Sequence, residues 1–293
     1  MSSDPLPHVY TLTGNLLAER TLEFRHWSPG ATQRAERETF QVGGKGINVS
    51  KMLNRLGTPN TALCFSGGAS GSECETWLRQ RGFSYRIFST STATRTGTVV
   101  RVPGQPDTTF LGVDTPPDAV AVRACAEFLD ALPGGNVLAI CGSIPGWDET
   151  RHEPLRDALA RWLSRGCLVA DTYGPPLRWL AQQPLDLIKI NAGELQTLDP
   201  APAGREPLAA LRYVITDGPR AVRLREGIMD ERLVVPPTIR EVSATGSGDV
   251  LLACVLESLF RRRKSLAEAV AFALPYAAAN AADPGIAEFA DPA

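Results

Sequence analysis

Apolar and polar positions along the chain follow two different rhythms. Val9-Tyr10-Thr11-Leu12, Thr61-Ala62-Leu63-Cys64-Phe65, Val137-Leu138-Ala139-Ile140-Cys141, Cys167-Leu168-Val169-Ala170, Leu187-Ile188-Lys189-Ile190 and Tyr213-Val214-Ile215-Thr216 are short, mostly apolar runs. Runs of this length and texture predict strands buried on both faces. Between them, Val49, Met52, Leu53 and Leu56 recur at helical spacing until Gly57 stops the pattern. Cys74, Trp77 and Leu78 mark a short helical face, Val122, Cys125, Ala126 and Leu129 another. Leu155, Ala158, Leu159, Trp162 and Leu163 give an amphipathic helix, and Leu266, Val270, Ala273, Leu274 and Ala277 a late one, with Pro275 expected to kink it. Val250 to Leu256 is apolar all round, which suits a helix inside a large core. Apolar strands alternating with helices predict an α/β fold whose mostly parallel sheet is covered on both faces.

A second texture interrupts this one. Thr21-Leu22-Glu23-Phe24 and Glu38-Thr39-Phe40-Gln41-Val42 alternate apolar and polar, as do Thr98-Val99-Val100-Arg101-Val102 and Thr108-Thr109-Phe110-Leu111 around Pro103-Gly104. Such alternation predicts a small sheet with one wet face, assembled from separated parts of the chain.

Charge and cysteine usage narrow the function. The 293 residues carry a formal net charge of -2, so no global basic field points to nucleic acid. The run Arg261-Arg262-Arg263-Lys264 follows the buried helix and reads as a solvated helix end. Cys64, Cys74, Cys125, Cys141, Cys167 and Cys254 form no Cys-x-x-Cys pair and sit largely in apolar runs, which predicts buried thiols in a reducing compartment. No basic-then-apolar start and no bilayer-length apolar run is present, so a cytoplasmic location without a membrane partner is expected. The final residues, with Asp291-Pro292-Ala293, are expected to be loose.

Two glycine-rich stretches carry candidate chemistry. In Thr245-Gly246-Ser247-Gly248-Asp249 a tight turn feeds the apolar helix. Unpaired amides and the positive end of the helix dipole make such a start an anion site, most often for phosphate. Asp249 at its mouth would repel phosphate unless it has a task, such as accepting a proton from an attacking hydroxyl or meeting a metal ion. The other stretch, Gly43-Gly44-Lys45-Gly46-Ile47-Asn48-Val49-Ser50-Lys51, lacks Walker spacing. Its glycines let backbone lie against a hydroxyl-rich ligand, with Asn48 as donor and acceptor and Lys45 reaching an anionic substituent. Small, polar and acidic residues also follow the strands: Gly142-Ser143, Asp171-Thr172, Asn191-Ala192-Gly193-Glu194 and Thr216-Asp217-Gly218. In a parallel sheet these carboxyl ends line the ligand cleft.

Together these segments resemble the PfkB (ribokinase-like) family of carbohydrate kinases. The glycine stretches match its two signatures, Cys141-Gly142-Ser143-Ile144-Pro145-Gly146 resembles its Ser-Gly-Ser-Leu-Pro segment, and Lys189-Ile190-Asn191-Ala192-Gly193-Glu194 its Lys-Pro-Asn-x-x-Glu. Gly-Lys-Gly-Ile-Asn-Val is typical of the 1-phosphofructokinase and tagatose-6-phosphate kinase branch. The resemblance implies one kinase domain with a three-layer αβα sandwich (residues 1–14, 43–92 and 114–293) and a β-sheet lid (15–42 and 93–113). Exposed edge strands invite pairing, so a homodimer through the lid is expected. It implies ATP, Mg²⁺ and transfer of the γ-phosphoryl group to a hydroxyl of a sugar or sugar phosphate. Alternatives are a non-catalytic sugar or nucleotide sensor on a kinase scaffold, or a nucleoside kinase.

By the same resemblance Asp249 is the catalytic base and the backbone of Thr245, Gly246, Ser247 and Gly248 the anion hole. Lys189, Asn191, Glu194, Thr216 and Gly218 belong to the nucleotide side, with Glu194 holding Mg²⁺ through water. Gly43, Gly44, Lys45, Asn48, Arg95 and Ser143 belong to the sugar side. Asn15 or Glu19 stands in for a family aspartate that holds sugar hydroxyls. The chain departs from the pattern elsewhere. Gly97 and Val99 replace an asparagine and a lysine of sugar-phosphate kinases, Glu194 to Val214 is short, and Ser243-Ala244 replaces the Asp-Thr of potassium-dependent members.

Overall fold

The computed structural model describes residues 6–198, 208–227 and 231–292. In chain order the elements are β1 (Val9–Thr13), β2 (Leu17–Glu23), β3 (Arg37–Gly43), α1 (Lys45–Arg55), β4 (Asn60–Ser66), α2 (Gly68–Gln80), β5 (Tyr85–Ser89), β6 (Arg95–Arg101), β7 (Thr108–Leu111) and α3 (Ala119–Ala131). There follow β8 (Val137–Cys141), α4 (Glu153–Trp162), β9 (Cys167–Asp171), α5 (Pro175–Leu180), β10 (Leu187–Asn191), α6 (Ala192–Gln196), β11 (Arg212–Thr216), β12 (Val222–Glu226), β13 (Glu231–Val234), α7 (Ser247–Leu256) and α8 (Leu266–Ala281).

Nine strands form one sheet in the order β13-β12-β11-β10-β9-β8-β1-β4-β5, parallel from β11 to β5 and antiparallel at β12 and β13. Side chains alternate across each strand, so along β8 Leu138 and Ile140 face one layer while Val137, Ala139 and Cys141 face the other. The first layer is α3, α4 and α5, packed through Val122, Leu129, Leu155, Leu159, Trp162 and Leu177. The second is α1, α7 and α8, packed through Val49, Met52, Leu53, Leu252, Val255 and Val270. Both faces of the strands are therefore dry, as their apolar texture requires.

The remaining strands make a separate four-stranded sheet in the order β3-β2-β6-β7. Its base is closed by Leu16, Ala18 and Val42, which pack with Trp77 and Leu78 of α2. At its far edge all of β7 is exposed, with Phe110 and Leu111 more than half accessible.

Several expectations need correction. The helix marked by Cys74, Trp77 and Leu78 is not short: α2 spans 13 residues, because its start is rich in glycine and serine and carries no apolar signal. The basic run is not simply solvated: Arg261 is mostly buried, donating to Glu257 and to the carbonyl of Pro7. The tail is tied down as far as Asp291, which pairs with Arg55, while Arg55 also stacks on the buried ring of Phe289. All six cysteines are free, as expected. Among the described residues no helix is long and apolar enough to cross a membrane.

Leu138 sits fully buried in the middle of the sheet. Leu138→Ala is expected to lower unfolding free energy by about 2–5 kcal/mol in a urea titration; a loss below about 1 kcal/mol would show that this core can collapse around the cavity.

Candidate active site

β1, β8, β9, β10 and β11 end at one edge of the large sheet, and the candidate residues gather there. The amino end of α7 faces the same edge. Gly246, which precedes that helix, has φ 77°, a left-handed conformation that strains any residue with a Cβ. The turn leaves the amides of Gly246, Gly248 and Asp249 without an acceptor among the described residues. Three free donors on the positive end of a helix dipole make an anion cradle.

Asp249 stands in the first turn of α7 and is 5% exposed. Asn48 Nδ2 donates to its Oδ2 over 2.7 Å, joining the two glycine-rich signatures. Burial disfavours its charged form and the negative Asp171 adds to that, while Lys45, Lys189 and the Asn48 hydrogen bond oppose it. The balance raises its pKa to about 6, suited to a group that must take up a proton near neutrality.

Beside it lies a knot of buried charge. Asp171, fully buried at the end of β9, accepts from Lys45 Nζ through Oδ1 and from Lys189 Nζ through Oδ2, both at 2.8 Å. Burial alone would raise its pKa, but the two ammonium groups override this and hold the carboxyl below its ordinary value. Burial alone would lower the pKa of Lys45, but Asp171, Glu194 and Asp249 reverse the effect and keep it firmly protonated. Lys189 is pressed against the cradle: a Cβ on Gly248 would lie 2.5 Å from its Nζ. Glycine at 248 is therefore what lets the ammonium approach the anion site.

Glu194 completes this side. Its Oε1 accepts from Lys45 Nζ at 3.1 Å and its Oε2 from the Asn191 amide at 2.8 Å, while Asn191 Oδ1 caps the Glu194 amide in return. This reciprocal cap starts α6 directly at the end of β10. Thr216 pairs with Asn191 across the sheet, and Gly218 follows it, exposed and with φ 57°.

A second cluster forms where the small sheet meets the large one. Asn15 Nδ2 donates to Asp114 Oδ1 at 2.8 Å and to Ser143 Oγ at 3.0 Å. Arg95 Nη1 donates to the same Asp114 oxygen at 3.0 Å, and the Tyr173 hydroxyl donates to Ser143 at 3.2 Å. Tyr173 links the clusters, since Lys45 Nζ lies 5.5 Å from its ring centroid.

The structure thus brings together Asp249, Asn48, Lys45, Lys189, Asn191 and Glu194 in one group, and Asn15, Arg95 and Ser143 in another. Gly43 closes β3 opposite Leu17, and Gly44 leads into α1. Lys45 departs from its expected direction: it is held by Asp171 and Glu194 instead of reaching towards a sugar substituent. Glu19 stays within the small sheet, accepting from Gln41, and does not join the Asn15 cluster. Sequence reasoning placed Asp171 only among the acidic residues lining the cleft and assigned no role to Asp114 or Tyr173. Asp171 was visible as a carboxylate ending an apolar strand, while Asp114 and Tyr173 carry no local signal.

The sequence model of the family described as pfkB family carbohydrate kinase matches residues 13–292. The 1-phosphofructokinase of Borreliella burgdorferi is 26% identical over 97% of this chain and 94% of its own length. The ATP-dependent 6-phosphofructokinase isozyme 2 of Escherichia coli is 27% identical over 90% of this chain and 89% of its own. Among solved structures, phosphofructokinase-2 from Escherichia coli in complex with potassium superposes with a TM-score of 0.85 at 23% identity, covering 96% of this chain and 94% of that one.

Removing the carboxylate between the two lysines strands buried positive charge. Asp171→Ala is expected to cost about 3–5 kcal/mol in denaturant unfolding at neutral pH, with no comparable loss for the exposed Asp148→Ala. Equal, small losses would mean that the ammonium groups find water or other partners.

Proposed function

The chain belongs to the pfkB family of carbohydrate kinases, and on that premise we propose that it transfers the γ-phosphoryl group of ATP to a hydroxyl of a ketohexose phosphate. Fructose 1-phosphate and fructose 6-phosphate are favoured acceptors by analogy with the relatives' names, and tagatose 6-phosphate by the resemblance of the Gly-Lys-Gly-Ile-Asn-Val segment to that branch. One observation carries this reading: Asp249, with its pKa raised to about 6, stands at the mouth of an anion cradle made of three free amides.

In the proposed reaction Asp249 takes the proton of the acceptor hydroxyl as that oxygen bonds to the γ-phosphorus. The bond from phosphorus to the bridging oxygen breaks and ADP leaves. Little covalent chemistry falls to the protein, so positioning and charge stabilisation dominate. The amides of Gly246, Gly248 and Asp249 meet the oxygens of the moving phosphoryl group, and Lys189 brings a positive charge to the same place. Asn48 orients the Asp249 carboxylate. Asn191, Thr216, Gly218 and Thr245 border the nucleotide side. Asn15, Ser143, Arg95, Gly43 and Gly44 border the acceptor side.

A Mg²⁺ ion bound with ATP takes most of its ligands from phosphate oxygens and water, and needs one or two protein carboxylates. Glu194 fits that role, since each of its oxygens accepts only one hydrogen bond and keeps a lone pair. Among the described residues no cluster of three or more histidine, cysteine or acidic side chains would bind the ion without a nucleotide. When bound, the ion neutralises phosphate charge.

The exposed apolar edge of the small sheet, with Phe110 and Leu111, supports a homodimer formed through that sheet. Light scattering is expected to give twice the chain mass, and a monomer at assay concentrations would contradict the dimer.

Coupled ADP release with ATP and Mg²⁺, run across free and phosphorylated ketohexoses, tests the activity. Turnover is expected with a ketohexose phosphate and is expected to fall at least about 10²-fold in Asp249→Asn. Release of no ADP with any acceptor, or full turnover in the variant, would overturn the proposal. The pH dependence follows from the same group. Asp249 must be ionised to act, so kcat/KM is expected to fall tenfold per pH unit below about 6. Asn48→Ala removes a hydrogen bond that favours the carboxylate and is expected to move this acid limb to higher pH.

A further inference from the structure

Asn280 is fully buried in the last turn of α8, within Ala277-Ala278-Ala279-Asn280-Ala281-Ala282. A buried amide among alanines is costly unless it is hydrogen-bonded. Asn280 is well bonded: its Nδ2 donates to the Thr245 carbonyl at 3.0 Å and to Ser247 Oγ at 3.1 Å, and its Oδ1 accepts from the Ala287 amide at 2.9 Å. Thr245 and Ser247 flank Gly246 in the cradle, and Ala287 belongs to the C-terminal segment. One side chain therefore joins the cradle, the end of α8 and the tail.

Other contacts converge on the same joint. The amides of Val242 and Ser243 donate to the Ala281 carbonyl at 2.7 and 3.1 Å. A Cβ on Gly246 would lie 2.7 Å from Ile286, so the tail packs directly beneath the turn. Ala287 is held at φ 55°, a left-handed conformation unfavourable for alanine, by Asn280 at its amide and Arg55 at its carbonyl. A glycine turn has many conformations, and only a braced one keeps its three free amides aimed at a single point.

We infer that Asn280 is a positioning residue for phosphoryl transfer, whose side-chain amide braces the Thr245–Ser247 turn and so fixes the anion cradle without a bound monovalent cation. The inference rests on the kinase reading above. Its chemical basis is that the Thr245 carbonyl and Ser247 hydroxyl, two oxygens that would suit a hard cation, already face an N–H₂ group.

The test compares wild type, Asn280→Ala and Asn280→Asp by ADP release, by KM for the sugar phosphate and by thermal midpoint, in potassium chloride and in tetramethylammonium chloride. Wild-type kcat is expected to agree within about twofold in the two salts. Asn280→Ala is expected to lose at least about tenfold in kcat while KM for the sugar phosphate stays within about threefold. Asn280→Asp places a third oxygen beside the other two, so its kcat is expected to be low in tetramethylammonium and to recover in potassium. If the alanine variant does not fold, the nearly isosteric aspartate variant carries the test. A wild-type requirement for potassium, an alanine variant with kcat within twofold of wild type, or a parallel loss of kcat and sugar affinity in every variant would overturn the inference. Calorimetric affinities for a non-hydrolysable ATP analogue and for ADP separate this from failure of the kinase reading. If wild type releases no ADP with any acceptor, the kinase reading fails. The brace then stands if the alanine variant loses the wild-type preference for the triphosphate, and falls if it keeps it.

Discussion

A single buried carboxylate holds the edge of this sheet together. Asp171 has no accessible surface, and each of its oxygens faces an ammonium group, one from α1 and one from β10. Without it each ammonium group would lose a carboxylate oxygen at 2.8 Å, and a charge left unpaired there would cost several kcal/mol. Because Asp171 is shared, it fixes two elements at once. Lys189 is set against Gly248, and Lys45 is directed towards Glu194, which in turn caps α6. The same negative charge, with burial, keeps Asp249 harder to ionise than an exposed aspartate. Structural pairing and chemical tuning are thus one electrostatic arrangement.

The fold accounts for why that arrangement forms where it does. In a parallel sheet every strand delivers its carboxyl end to the same side, so residues distant in the chain become neighbours. Lys45 and Asp171 are separated by 126 positions and Asn48 and Asp249 by 201. The dry helical layers on both faces leave this edge as the place where backbone amides and charged side chains meet solvent. The small sheet adds polar groups from the other side through Arg95, and Asn15 connects the two at the end of β1. The acceptor side therefore depends on how two sheets are joined, while the anion cradle depends on one helix and its brace.

Much of the architecture was readable from hydrophobic rhythm. The six apolar runs all became strands of the large sheet, and the alternating segments became the small one. β5, β12 and β13 were not foreseen, because Tyr-Arg-Ile-Phe-Ser, Val-Arg-Leu-Arg-Glu and Glu-Arg-Leu-Val mix charged residues into short segments at or next to the ends of the sheet. α5 and α6 are too short to show helical periodicity. Of the candidate site, Asp249 and Asn48 were legible because glycine-rich turns mark close backbone approaches. The partners of Lys45 were not, since a lysine in a glycine loop gives no sign of which distant carboxylate it will meet. Asn280 was hidden more deeply, as one amide in an alanine-rich helix whose meaning appears only when the tail folds beneath the turn. The shortened stretch after Glu194 includes residues 199–207, which lie outside the described ones.

The central claim is that an acceptor hydroxyl, Asp249 and the cradle amides converge on one phosphorus. A crystal structure with a non-hydrolysable ATP analogue, Mg²⁺ and a ketohexose phosphate measures this directly. The account predicts an acceptor hydroxyl within hydrogen-bond distance of an Asp249 oxygen and terminal phosphate oxygens on the amides of Gly246, Gly248 and Asp249. A terminal phosphate seated away from that turn, or an Asp249 carboxylate facing away from the acceptor, would contradict it.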